Sequence, residues 1–183
     1  KEGQTGSGLH NAALMLDGGE ITAVRFKHEL PNYGVFDEKR VFAQGPLPGP
    51  MAFRDVRLGV MICEDMWSSD VTECLQESGA EILVVINGSP FETDKPDDRL
   101  NPAVARVTES GLPLAYVNLV GGQDELVFDG ASFVLGRAST LLAKAPSWRE
   151  DVSLTHWTRD GVGEGGAWTC AEASVTPAPD EIE

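Results

Sequence analysis

Short apolar runs alternating with amphipathic segments predict an α/β layered fold in which helices cover a sheet. Residues 57–63 (RLGVMIC) and 81–86 (EILVVI) carry this expectation, being nearly continuous in apolar side chains, the pattern of strands buried on both faces. Glycine turns inside alternating stretches add hairpins to the frame.

The elements follow in order. Residues 12–17 and 20–25 flank Gly18 and Gly19 and read as a β-hairpin, because glycine accepts the positive φ of a tight turn. Residues 30–50 contain Pro31, Pro46, Pro48 and Pro50 and predict a shaped loop, since proline fits neither a helix interior nor a central strand. The strand over 57–63 stops where acidic residues begin. A helix over 71–78, with Asp70 as N-cap and Gly79 just past its end, leads into the strand over 81–86. A helix over 99–110 tolerates Pro102 near its start, and 114–118 forms a third strand. Asp129-Gly130, between 125–128 and 131–135, predicts a two-residue hairpin. Weaker strands are expected over 141–145 and 152–155. Beyond Arg159 the chain turns glycine-rich, then acidic and proline-rich, which predicts a domain over 1–159 followed by a polar tail or linker over 160–183.

The 183 residues, 42% of them hydrophobic, suffice for a core of ordinary size. Acidic residues outnumber basic ones 29 to 14, and the net charge of −15 supplies no positive field to hold a nucleic acid or an anionic membrane. Cys63, Cys74 and Cys170 form no C-x-x-C pair, which fits neither a disulfide framework nor a zinc cage and suits a reducing compartment. The longest apolar runs are too short to cross a bilayer and the start has no signal-peptide pattern, so a cytoplasmic protein is expected. The chain opens on Lys1 in a polar, glycine-rich stretch, as expected of a piece from within a longer protein.

Candidate chemistry centres on Cys63. It closes an apolar strand just before Glu64-Asp65-Met66-Trp67, so a rigid element would present its thiol at the strand's end. A cysteine in such a run is more often a small buried apolar residue, and by itself Cys63 establishes nothing. Cys74 and Cys170 lack this setting and are read as structural. Lys27, at the mouth of the proline-rich loop, and Glu38, within that loop, would each singly be solvated surface.

Their company changes that reading. KHELPNYGVFDEKR (27–40), GVMICEDMW (59–67), NGSPF (87–91) and GGQDELVFDG (121–130) occur in the order found in one family. Together they resemble the nitrilase-superfamily amidohydrolase domain of glutamine-dependent NAD synthetases, over about residues 11–151. LPNYGVFDE and GGQDELVFDG are particular to that branch, whereas lysine followed by a cysteine-glutamate pair marks the superfamily at large. The resemblance implies a nitrilase-type four-layer α-β-β-α sandwich, incomplete at the N-terminus. It also implies a Glu-Lys-Cys triad in which Cys63 is the nucleophile and Lys27 the lysine, while the glutamate lies farther upstream than the 26 residues before Lys27. Glu38 matches a second glutamate kept near the lysine. Tyr33, Glu64, Trp67, Ser89 and Lys95 match positions lining the glutamine pocket. Leu119, where the family has glutamine, and Asp94, where glycine is common, depart from the pattern.

The implied chemistry suits these residue types. A thiolate attacks the side-chain carboxamide of L-glutamine, ammonia leaves, and water cleaves the thioester. The Lys27 ammonium and the N–H after Cys63 would stabilise the oxyanion, one such donor being worth about 3 kcal/mol. No P-loop or S-G-G-x-D-S motif occurs, so ATP, Mg and deamido-NAD are expected in a separate synthetase domain that takes up the ammonia, and no metal or cofactor site is expected here. The resemblance further implies a homo-oligomeric full-length protein. Two other readings stand beside this one: a free-standing nitrilase-family amidase acting on another small amide, and a non-catalytic scaffold piece lacking the catalytic glutamate.

Overall fold

The computed structural model describes residues 8–92, 99–161, 166–171, 173 and 175. Strands β1 (Ala12–Asp17) and β2 (Glu20–Phe26) form the expected antiparallel hairpin, closed by Gly18 (φ +60) and Gly19 (φ +84). The stretch that follows is coil, interrupted by the single turn α1 (Glu38–Val41).

The main sheet has six strands in the order β10-β9-β6-β5-β4-β3. At its centre β4 (Val56–Ile62), β5 (Ile82–Asn87) and β6 (Leu114–Asn118) run parallel, linked by crossovers through α2 (Ser69–Glu77) and α3 (Leu100–Ser110). β3 (Met51–Phe53), β9 (Phe133–Leu135) and β10 (Leu141–Lys144) add antiparallel edges. This is the α/β frame the apolar runs predict, since parallel strands need helical crossovers.

One sheet face carries the core. Met61, Leu83, Val85, Leu114 and Tyr116 pack with Val71 and Leu75 of α2 and Ala103 and Val107 of α3. Tyr116 stacks on Phe133 with ring centroids 4.6 Å apart. Helix α2 ends on Gly79 (φ +87), whose N–H donates to Gln76 while the N–H of Ala80 donates to Leu75, the left-handed stop that only glycine adopts cheaply. Ser68 rather than Asp70 occupies the N-cap of α2, and its side chain makes no capping bond. On the opposite face Val134 and Ala143 are buried with Cys170, whereas Ile86 and Val117 are about half exposed. The described residues thus supply one sheet-and-helix half of a nitrilase-type sandwich, together with the β1–β2 hairpin.

Two expected elements are corrected. Asp129-Gly130 does not close a hairpin: β8 (Leu126–Asp129) pairs back onto β7 (Val120–Gln123) through a turn at Asp124 (φ +52). Gly130 (φ +71) instead redirects the chain so that β9, buried at all three residues, enters the main sheet, where its apolar side chains gain more than in a polar ribbon. Residues 152–155 form no strand; that role falls to β11 (Trp157–Asp160), antiparallel to β12 (Ala167–Cys170). The β11–β12 hairpin straddles the division expected at residue 159, and Cys170 belongs to the core rather than to a tail. Among the described residues no helix is long and apolar enough to cross a membrane.

Candidate active site

Cys63 leaves the C-terminal end of β4 and opens a 3₁₀ turn, Cys63–Trp67, with a left-handed backbone (φ +49) that a non-glycine residue adopts only where its surroundings enforce it. Its side chain is only partly buried. The strand register places Met61 beside Val85 and Ile62 beside Ile86, so the thiol emerges where β4 and β5 both end. Burial pushes the Cys63 thiol up; the Lys27 ammonium pulls against that, Glu64 and Glu38 push it further up, and the N–H of Gly88 pulls it down.

Lys27 follows β2 and is only 1% exposed. Its backbone is held at both ends: its N–H donates to Asn11 (2.9 Å) and its carbonyl accepts from Gly45 (2.8 Å). Gly45 approaches so closely that a Cβ there would lie 2.7 Å from the Phe26 Cβ and 2.9 Å from the Lys27 carbonyl oxygen. The Lys27 Nζ meets Glu38 Oε1 at 2.6 Å, and a buried ammonium needs such a partner. Glu38, the first residue of α1, keeps Oε2 buried with no hydrogen-bond partner among the described residues. The proline-rich loop thereby returns a carboxylate onto the lysine that precedes it.

At the rim, Tyr33 donates its hydroxyl across both carboxylate oxygens of Glu64, at 2.9 and 3.0 Å. Burial and this bond push the Tyr33 phenol up to about 12. Trp67 is half exposed at the end of the 3₁₀ turn. Ser89, just beyond β5, is fixed through its backbone: its N–H donates to Asn118 Oδ1 (2.9 Å), and Asn118 Nδ2 donates to the carbonyls of Ser89 (3.4 Å) and Gly130 (3.1 Å). Burial pushes the Tyr116 phenol up to about 12, and the nearby Arg99 and Ser89 pull against it. Cys63, Lys27, Glu38 and Glu64 therefore interact in one region, with Tyr33 attached through Glu64, while Ser89 is held by Asn118. Lys95 lies outside the described residues. Asp65, Gly45, Gly88 and Asn118 escaped the sequence reading. Gly88 and Asn118 sit in or beside strings already singled out, so their positions past buried strand ends were the available signal. Among the described residues no group of three or more His, Cys, Asp or Glu is placed to hold a metal ion.

A parallel-centred α/β sheet that brings a buried lysine-glutamate pair near a cysteine at a strand end suits a hydrolase, and the chain belongs to such a family: residues 1–166 match the carbon-nitrogen hydrolase family. Within that family it is 42% identical over 177 residues to the glutamine-dependent NAD(+) synthetase of Rhodobacter capsulatus, covering 97% of this chain and 31% of that protein. The glutamine-dependent NAD+ synthetase of Acinetobacter baumannii, solved with ADP, superposes with a TM-score of 0.83 at 36% identity, over 93% of this chain and 31% of that one. An amidase from Nesterenkonia sp. AN1, solved with the acetamide moiety of fluoroacetamide added covalently at its active-site cysteine, is 28% identical with a TM-score of 0.63, over 79% of this chain and 53% of that one. The chain thus spans between about a quarter and a third of the length of the synthetases it matches.

Proposed function

We propose that this chain is part of the glutaminase domain of a glutamine-dependent NAD(+) synthetase, with Cys63 as nucleophile, Lys27 as oxyanion-stabilising cation and Glu38 as its carboxylate partner. The observation that carries the reading is the Lys27–Glu38 pair at 2.6 Å, buried beside a thiol held at a strand end with φ +49. The Cys63 sulfur, once deprotonated, attacks the carboxamide carbon of L-glutamine, and its oxyanion accepts from the Lys27 ammonium and the N–H of Glu64. Collapse breaks the C–N bond; the leaving nitrogen takes up a proton and departs as ammonia. Water then cleaves the thioester to glutamate and the free thiol. Glu64, Tyr33, Trp67 and Ser89 line the glutamine pocket, a role that the family resemblance also assigns to Lys95. The upstream glutamate that would move these protons in the family has no counterpart in the sequence before Lys27.

The ammonia passes to a synthetase domain that holds ATP, Mg and deamido-NAD, in a cytoplasmic homo-oligomer. Neither a P-loop nor an S-G-G-x-D-S string for those ligands occurs in the sequence. The relatives favour this over a free-standing amidase, since the synthetase of Rhodobacter capsulatus is 42% identical against 28% for the Nesterenkonia amidase. Cys63→Ala in the proposed parent enzyme tests it. Glutamine-dependent NAD synthesis should disappear while synthesis from added ammonia persists; an equal fall in both contradicts the division of labour. The 183-residue chain alone should release little ammonia from glutamine, and substantial release would refute the need for the further glutamate.

A further inference from the structure

The carboxylate of Asp65 is 1% exposed, and no step above employs it. It lies two residues past Cys63 in the 3₁₀ turn, and its oxygens hold two separate stretches of backbone. Oδ1 accepts from the N–H of His28 at 3.0 Å and of Glu29 at 2.8 Å; Oδ2 accepts from the N–H of Ile62 at 3.0 Å. His28 and Glu29 directly follow Lys27, and Ile62 directly precedes Cys63. Burial pushes the Asp65 carboxyl up, and the three N–H donors and the Lys27 ammonium pull against it, with Arg25 also near enough to act on it electrostatically.

We propose that Asp65 is a positioning residue that sets the separation between the Lys27 ammonium and the Cys63 sulfur, by tying the backbone next to each of them to one carboxylate. The proposal rests on the glutaminase reading above. The chemistry selects a carboxylate. It alone presents acceptors on both arms, whereas the isosteric amide must turn its NH₂ toward one of the two segments and set donor against donor. Loss of either tie frees Lys27 to shift against the thiol, and displacements of about 1 Å at a reacting centre cost on the order of 10²-fold in rate.

Asp65→Asn in the proposed parent enzyme separates this role from an ordinary buried cap. The expected result is a kcat for glutamine lower by roughly 10²-fold with KM changed by less than about twofold, and ammonia-dependent synthesis intact. The pH profile of Cys63 alkylation by iodoacetamide, read on the Cys63 peptide, should also move to higher pH, the direction Lys27→Met moves it, because the ammonium no longer sits where it favours the thiolate. Wild-type kcat, or an unmoved alkylation profile, overturns the proposal. Should Asp65→Asn not fold, Asp65→Glu, which keeps both acceptors on a longer arm, is judged by the same two readouts. Cys63→Ala runs in parallel: its retention of glutamine-dependent synthesis would remove the glutaminase reading and this role with it, whereas a dead Cys63→Ala beside a fully active Asp65→Asn would remove the positioning role alone.

Discussion

At the scale of single residues the site is an electrostatic balance around one sulfur. Burial raises the Cys63 thiol, and the Lys27 ammonium is the largest influence opposing it. Alkylation of Cys63 should therefore accelerate into the alkaline range, because the reactive thiolate forms only as pH rises through an elevated pKa. Lys27→Met removes the largest lowering influence and leaves the Glu38 carboxylate without its cation, so both changes raise the thiol and the alkylation profile should shift further toward high pH; a shift toward low pH contradicts the geometry. The same pair bears on stability. Glu38→Ala leaves a 1%-exposed lysine without its 2.6 Å partner, and such removals cost about 3–5 kcal/mol. Urea denaturation should show that loss, and Lys27→Met combined with Glu38→Ala should recover part of it, since no buried charge is then left unpaired.

At the scale of elements, what matters is how a loop without regular structure holds a lysine. Gly45 supplies the contact: its N–H holds the Lys27 carbonyl, and any side chain there collides with Phe26 and Lys27 backbone atoms. Gly45→Ala should reduce glutamine-dependent activity by more than about tenfold, in line with the cost of small displacements at a reacting centre, while Gly49→Ala in the same loop, where the added Cβ meets only Ser78 at 4.0 Å, should be nearly silent. Equal effects of the two would show that the close approach is immaterial. Much of the scaffold was legible in the sequence. The β1–β2 hairpin, the buried runs of β4, β5 and β6, and the two crossover helices each follow from a local pattern of glycine, apolar residues and caps. The pairing of β8 and β9 was not, because Asp129-Gly130 carries a strong local turn signal that burial of Phe133, Val134 and Leu135 in the main sheet overrides. Of the proposed site, motif resemblance singled out Cys63, Lys27 and Glu38. The fixing of Lys27 by Gly45, and the tie made by Asp65, depend on contacts distant along the chain and leave no periodic trace.

Across the whole molecule, the two ends of the central strands are chemically distinct. Cys63 and Gly88 lie where β4 and β5 end, beside Lys27. At the other end of β4 a cleft of about 660 Å³ is lined by Arg57, Arg137 and Arg159. There Arg57 donates to the carbonyls of Ser78 and Gly79, Arg137 to that of Gly111, and Arg159 pairs with Glu81 and sits 5.7 Å over Trp168. Arg57 and Arg137 thereby cap the C-terminal ends of α2 and α3, where cations are favoured. Arg57→Ala should therefore lower thermal stability by about 1 kcal/mol and leave glutamine turnover unchanged; a lost turnover with unchanged stability would mean the two ends are coupled. In the proposed glutaminase reading a single sulfur receives the glutamine carbon. Treating the proposed parent enzyme with an electrophilic diazoketone analogue of glutamine, followed by peptide mass mapping and both synthesis assays, tests it most directly. One adduct on the Cys63 peptide, with glutamine-dependent synthesis abolished and ammonia-dependent synthesis retained, is the predicted result. Full modification of Cys63 with glutamine-dependent synthesis surviving, or inactivation by an adduct on Cys74 or Cys170, would contradict it.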